Sequence, residues 1–442
     1  MTVTDIELPD VKADADANVA NGLGTDLAAS AATDEPDGRP TGRAVVTGIG
    51  VAAPNGFGRE TWWAATLRGE SGIRRLTRFD PTRYPARLAG EVRDFDPEEH
   101  IPSRLMPQTD HMTRLALAAA QEAISDSGLD PAKLPPYGVG VVTAASAGGF
   151  EFGQRELQAL WSKGGAYVSA YQSFAWFYAV NTGQISIRHK LKGPSGVVVT
   201  DQAGGLDAVA QARRHLRKGV SAVVTGGVDG SLCPWGWAAH LAGGRLSTRD
   251  DPIRAYLPFH PDAAGQVPGE GGAILIVEDA ATAAARGATV YGEVAACSAT
   301  FDRADGGDPG LRRAAELALA EAGAGPSDVD VVFADAAGLP EMDRQEAEAI
   351  MAVFGPYGVP VTAPKTMTGR LQAGGAALDL AGALLSIRDG VIPPTVNVDR
   401  QVDGHCLDLV RGVPRPARVR TALVLARGHG GFNAAAVVRA AQ

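Results

Sequence analysis

The sequence predicts a layered α/β protein of two pseudo-symmetric halves, and three observations carry that expectation. Short apolar runs alternate with helical patterns from Ala44 to the end of the chain, which is how buried sheets covered by helices read. The quartet Gln202, Ala203, Gly204, Gly205 recurs as Gln372, Ala373, Gly374, Gly375, an offset of 372 − 202 = 170 residues. Each quartet opens a helical stretch of similar expected length that leaves through a basic residue and a glycine, Lys218 with Gly219 and Arg388 with Gly390.

Taken in order, residues 1–42 carry nine acidic side chains against Lys12 and Arg39 and no aromatic residue, and are expected to form a disordered acidic tail rather than a signal peptide. The first half is expected over 43–286. It opens with a strand from Ala44, a helix near Glu60 to Arg68, a helix over Met112–Ser127 and a strand over Val139–Ala144. After Gly148 and Gly149 comes a helix carrying Leu157, Leu160 and Trp161, a stripe expected to face the core. Tyr171 to Asn181, reading YQSFAWFYAVN, is expected in the core or at a subunit interface. A strand over Ala222–Thr225 is expected to close at GGVDG, and another runs over Gly271–Glu278. The second half, 287–442, repeats the programme. Its strands are expected near Val290–Ala295, Val329–Ala334, Thr421–Ala426 and Ala434–Val438, with helices near Leu311–Ala322 and Met342–Phe354.

The chemistry centres on Val197 to Arg217. Three valines and Thr200 read as the end of a buried strand, and Gly204 and Gly205 permit a sharp turn into a helix with Leu206, Val209, Ala210 and Leu216 on one face. Gln202 therefore sits at a strand-to-helix elbow, where an α/β enzyme exposes a nucleophile at a helix N-terminus. A carboxamide neither ionises near neutral pH nor attacks a carbonyl, so this elbow is expected to be inert.

Composition narrows the partners. The formal charge of −9 argues against a nucleic-acid or anionic-membrane surface, and no apolar run reaches the roughly 20 residues that span a bilayer. Cys233, Cys297 and Cys406 are far apart and the eight histidines lack ligand spacing, so reduced cysteines, no metal and no cofactor are expected, in keeping with a cytoplasmic protein.

Several stretches together resemble the β-ketoacyl synthases. GPSGVVVTDQAGGLDA at Gly193–Ala208 is similar to their active-site segment, in which a Cys stands at the position of Gln202. PKTMTGR at Pro364–Arg370 resembles their Lys-Ser-x-x-Gly-His segment, and GHGGFNAA at Gly428–Ala435 their Gly-Phe-Gly-Gly-x-Asn loop. The resemblance covers about residues 43–440 and implies a thiolase-like fold. It places Asp335 and Arg370 at the positions of the two catalytic histidines, a pair expected to neutralise each other, and Lys365, Asp343 and Glu346 at retained scaffold positions. His429 stands where the family has a Phe and is expected either to line a relic cavity or to serve the structure.

With all three reactive groups exchanged, the chain resembles the chain length factors, or ketosynthase β subunits, of bacterial type II aromatic polyketide synthases, which carry Gln for Cys. CPWGWAAHLAGGRLS at Cys233–Ser247 and FAWFYAVNTGQISIRH at Phe174–His189 resemble that branch as well. The resemblance implies a heterodimer with a ketosynthase α subunit, contact with an acyl carrier protein, and a tunnel for the growing polyketide gated by Phe150, Gly153 and Leu157. The small Gly153 and Leu157 imply a decaketide or longer product. The competing expectation is a malonyl-carrier-protein decarboxylase acting through Gln202, against which the negative charge of Asp335 would repel an enolate.

Overall fold

The computed structural model describes residues 41–303 and 310–441. The expected tail lies outside the described residues except for Thr41 and Gly42, whose hydroxyl and N–H donate to the Asp279 carboxylate at 3.0 and 2.8 Å.

One twelve-stranded sheet runs through both halves. In the first half lie β1 (Ala44–Ala53), β2 (Val139–Ala144), β3 (Ser195–Val198), β4 (Ala222–Asp229) and β5 (Gly271–Asp279). In the second lie β6 (Gly292–Phe301), β7 (Val331–Phe333), β8 (Pro360–Thr362), β9 (Asp408–Leu409), β10 (Thr421–Arg427) and β11 (Phe432–Arg439). A two-residue strand, Gly56–Phe57, folds back on the end of β1. The order across the sheet is β9-β8-β7-β10-β11-β6-β1-β5-β4-β2-β3. Outward from the middle the first half reads first, fifth, fourth, second, third. With β9 set aside as an added edge, the second half reads β6-β11-β10-β7-β8, the same order. The halves join where β1 meets β6 antiparallel, Val45 opposite Glu293 and Val46 opposite Gly292.

The apolar clusters show five layers. Helices Gly204–Arg217 and Ala373–Asp389 pack on each other and on strands of both halves. Helices His111–Ser127 and Val180–His189 cover the outer face of the first half, and Gly310–Ala322 and Pro340–Phe354 that of the second. Every residue from Ala373 to Ser386 is buried, so this central helix is enclosed all round between the two halves of the sheet, with Asp379 the one charged side chain in that stretch. Gly205 lets the two central helices touch: a Cβ there would lie 2.6 Å from the backbone nitrogen of Ala377. These helices have 14 and 17 residues, so the duplicated quartets open helices of different length, contrary to the sequence expectation.

Helix ends follow their local chemistry. Asp110 accepts from Met112 N at 2.9 Å to start the helix over His111–Ser127, and Gly128 ends it in the left-handed conformation (φ 62°). The same carboxylate accepts from Phe152 N at 2.7 Å, which ties that helix to the one over Phe150–Lys163. Two expectations fail. The strand expected to close at GGVDG continues to Asp229, because Gly226 to Asp229 keep pairing with Gly271 to Ile274. Leu160 and Trp161 are exposed, Trp161 by 82%, so the stripe faces out rather than into the core. Among the described residues no helix is long and apolar enough to cross a membrane.

Candidate functional site

The elbow forms as its residues dictate. β3 ends at Val198, Asp201–Ala203 make a single 3₁₀ turn, and the helix begins at Gly204. Asp201 takes a left-handed backbone (φ 51°) and its carboxylate accepts from His429 N at 2.8 Å, which fastens the Gly428–Gly431 loop over the turn. Gln202 points toward the second quartet. With its carboxamide oriented to satisfy both partners, its nitrogen donates to Gln372 O at 3.1 Å and its oxygen accepts from Gln372 N at 3.2 Å. Gln372 itself holds φ 49° and ψ −130°, a conformation rare for a residue with a side chain.

Beside this pair lies a buried ionic network. Arg370, at 4% exposure, donates from Nη2 to Asp335 Oδ1 at 2.9 Å and from Nη1 to Asp335 O at 2.7 Å. Arg427 N donates to the same Oδ1 at 2.9 Å, and its guanidinium lies 3.4 Å from both Asp335 Oδ2 and Glu346 Oε2. Burial pushes the Asp335 carboxyl up, but Arg370, Arg427 and Lys365 outweigh it and hold it at about 2. Glu346 accepts from Asp335 N at 2.6 Å and Ala336 N at 2.8 Å, and burial raises its pKa. Lys365 pairs with Asp379 at 2.7 Å and also donates to Ala334 O. Asp343 accepts from Phe259 N and Gly338 N, both at 2.9 Å, while burial pushes its carboxyl up to about 7. Arg427 and Asp379 have no motif of their own; the only sequence signal was their charge inside otherwise apolar segments, LVLARG and AALDLAG.

A cavity of about 220 Å³ adjoins Gln202, with His240, Arg245, Arg370, Arg427 and His429 among its lining. His429 thus lines the cavity, as one of its two expected roles required. Burial pushes the His240 imidazole down to about 4, so it is neutral at pH 7; its Nε2 lies 3.0 Å from Ser231 Oγ. A surface cleft of about 600 Å³ between Gly128 and Arg286 is larger but includes none of the candidate site residues.

Phe150, Gly153 and Leu157 share the helix over Phe150–Lys163 and do not line the cavity beside Gln202. Phe150 stacks on Trp235 with ring centroids 4.5 Å apart. A Cβ at Gly153 would lie 3.3 Å from the Trp235 ring and 3.4 Å from Trp176 Cβ, so two tryptophans occupy the space beside the missing side chain. Trp235 starts the helix Pro234–Ala242 that ends near His240, a link between the two regions that sequence spacing alone did not show. Tyr171, Phe174, Trp176, Phe177 and Tyr178 are all exposed, between 37 and 43%, so these rings lie outside the core, while Ala175, Val180 and Asn181 of the same segment are buried.

Two half-sheets of identical strand order, two central helices and a strand-turn-helix elbow at their contact define a ketosynthase-type fold whose elbow carries an amide. Residues 42–283 match the beta-ketoacyl synthase N-terminal domain and 291–399 the C-terminal domain. The tetracenomycin polyketide synthase ketoacyl synthase beta subunit of Streptomyces glaucescens is 62% identical over 89% of this chain and 98% of its own. The actinorhodin polyketide putative beta-ketoacyl synthase 2 of Streptomyces coelicolor is 59% identical over 89% and 98%. Among solved structures, the ishigamide ketosynthase/chain length factor superposes with a TM-score of 0.82 at 29% identity, over 90% of this chain and 99% of that one. A type II polyketide synthase acyl-carrier protein in complex with its hexaketide-bound ketosynthase gives 0.81 at 27%, over 91% and 100%. The chain belongs to the β-ketoacyl synthase family, among the ketosynthase beta subunits of type II polyketide synthases.

Proposed function

We propose that this chain is the non-catalytic chain length factor of an aromatic polyketide synthase. It pairs with a ketosynthase α subunit, which supplies the Cys and both His, and it shapes the tunnel in which the carrier-bound poly-β-ketone grows. The observation that carries this reading is the state of the elbow. Gln202 spends both ends of its amide on the backbone of Gln372, and Arg370 spends two N–H groups on Asp335, so the nucleophile and histidine positions are filled by groups bonded within the chain itself. The half-buried edge strand β3 and the aromatic face from Tyr171 to Tyr178 are the surfaces for the α subunit.

Phe150, Gly153 and Leu157 are the gate, with 43–286 and 287–442 as the two structural halves. The small residues at 153 and 157 favour a decaketide or longer product, provided Trp176 and Trp235 yield the space they occupy when the α subunit is bound. Decarboxylation through Gln202 is the weaker reading, since it needs a free amide and a cation without a counter-charge. Co-expression with an α subunit and a carrier protein tests the proposal. Full-length chains should appear only when this subunit is present, and Gln202→Ala should leave their length unchanged.

A further inference from the structure

We infer that Gln154 is a positioning residue that sets product length by holding Trp235 in the space beside Gly153, an assignment that rests on the chain length reading and its gate at Phe150, Gly153 and Leu157. Gln154 follows Gly153 on the same helix, and its side-chain oxygen accepts from Trp235 N at 2.7 Å. Trp235 stands in the first turn of the helix Pro234–Ala242, where a backbone N–H has no partner within its own helix. The capping Cys233 Sγ accepts from Gly236 N at 3.5 Å, so the acceptor for Trp235 N is supplied by the neighbouring helix. That bond joins the two helices where the Trp235 ring stacks on Phe150 and lies 3.3 Å from a Cβ at Gly153.

The elements on either side are fixed without it. The helix over Phe150–Lys163 is held at its start by Asp110, which accepts from Phe152 N at 2.7 Å, and in its middle by Glu156, which accepts from Ser169 N at 2.7 Å. The helix Pro234–Ala242 is held by the fully buried Trp237, whose Nε1 donates to Ala86 O at 3.2 Å. Trp235 itself is 36% exposed, so the core does not wall in its ring. Loss of the Gln154 oxygen therefore frees the backbone at Trp235 and leaves both helices in place. The ring then leaves the space beside Gly153 more often, and that space opens to a longer chain.

Gln154→Leu removes the acceptor at similar volume, and Gln154→Glu keeps it. Gln154 is only partly buried, so both variants should fold, and Gln154→Met replaces the Leu variant if that one does not. In the isolated full-length chain, deuterium exchange at the Trp235 amide should speed about fivefold in Gln154→Leu, the factor that a lost hydrogen bond of ordinary strength puts on local opening, and keep the wild-type rate in Gln154→Glu. With an α subunit, carrier protein and malonyl supply, Gln154→Leu should raise the share of product longer than the wild-type chain by about the same factor, and Gln154→Glu should restore the wild-type pattern. Gly153→Thr with Leu157→Phe, run beside them, separates this role from the gate itself. If that pair shortens the product while Gln154→Leu keeps the wild-type length or the wild-type exchange rate, or if Gln154→Glu behaves as Gln154→Leu, the role of Gln154 is overturned and the gate stands. If neither the pair nor Gln154→Leu changes length, the gate is wrong and the role of Gln154 falls with it.

Discussion

The side-chain amide of Gln202 and the backbone amide of Gln372 hold each other through two hydrogen bonds, 3.1 and 3.2 Å long, across the contact of the two central helices. The residue at the elbow therefore meets its own echo from the second half of the chain. Gln202 clamps a strained backbone at Gln372.

Gln202→Ala removes both bonds and is expected to lower unfolding stability by roughly 1–2 kcal/mol, read as a reduced melting temperature. Gln202→Cys restores the nucleophile of the family but not its histidines, so it is expected to acquire no condensing activity; acyl transfer to the new Cys, followed by mass, checks this. Chain extension by that variant alone would refute the reading of Asp335 and Arg370.

Asp335 is the second test. Its replacement by Ala leaves Arg370 and Arg427 facing each other in a buried site and is expected to cost about 3–5 kcal/mol, while Asp335→Ala with Arg370→Met should cost less than the sum of the single changes. Its folded-state pKa of about 2 lies below the unfolded carboxylate range. The stability it contributes is therefore present above about pH 4 and lost as the pH falls toward 2. Denaturant midpoints of wild type and Asp335→Ala between those values should converge on acidification.

Asp343 has the opposite sign. Its carboxyl is pushed up to about 7, so the stability linked to its protonated form is complete below about pH 4 and declines as the pH rises to about 7. Asp343→Asn should flatten the stability-versus-pH curve in that window, whatever its effect on the absolute value. A slope unchanged by the substitution would assign the titration to another group.

The proposed gate gives a prediction in product length. Gly153→Thr with Leu157→Phe is expected to shorten the polyketide, because added volume at 153 must press on Trp235 and Trp176. Unchanged length by mass spectrometry removes these positions from the role.

Much of this was legible in the sequence for definite reasons. β2, buried on both faces, reads as a nearly continuous apolar run, and the helix over His111–Ser127 declares itself through its apolar stripe. The elbow was legible from Gly204 and Gly205 ahead of the helical stripe, but the left-handed residue of the turn is Asp201, while Gly204 is helical and Gly205 serves the close approach to Ala377. The outward face of the helix over Phe150–Lys163 was not, because Leu160 and Trp161 look the same in sequence whether they meet the chain's own core or stay exposed. Arg427 escaped because its partners, Asp335 and Glu346, are brought to it by the sheet and not by spacing. The occupation of the Gly153 space by Trp176 and Trp235 likewise depends on loops whose paths no local pattern fixes.

The exposed aromatic face offers a test of partnership. Phe174→Asp and Phe177→Asp alter side chains 37% and 43% exposed, so the isolated chain should keep its melting temperature within about 1 kcal/mol of stability. Association with the α subunit, measured by sedimentation, should weaken by 2 kcal/mol or more if these rings sit at the centre of the interface, on the order of thirtyfold in Kd.

The central claim is that this chain sets product length without doing chemistry. Its most direct test is reconstitution with an α subunit, carrier protein and malonyl supply, comparing polyketide masses with wild type, with Gln202→Ala and without the chain. The account predicts full-length product with wild type and Gln202→Ala alike, and none of that length without the chain. Initiation that stops in Gln202→Ala and resumes when acetyl-carrier protein is supplied would contradict it and make this chain the decarboxylase.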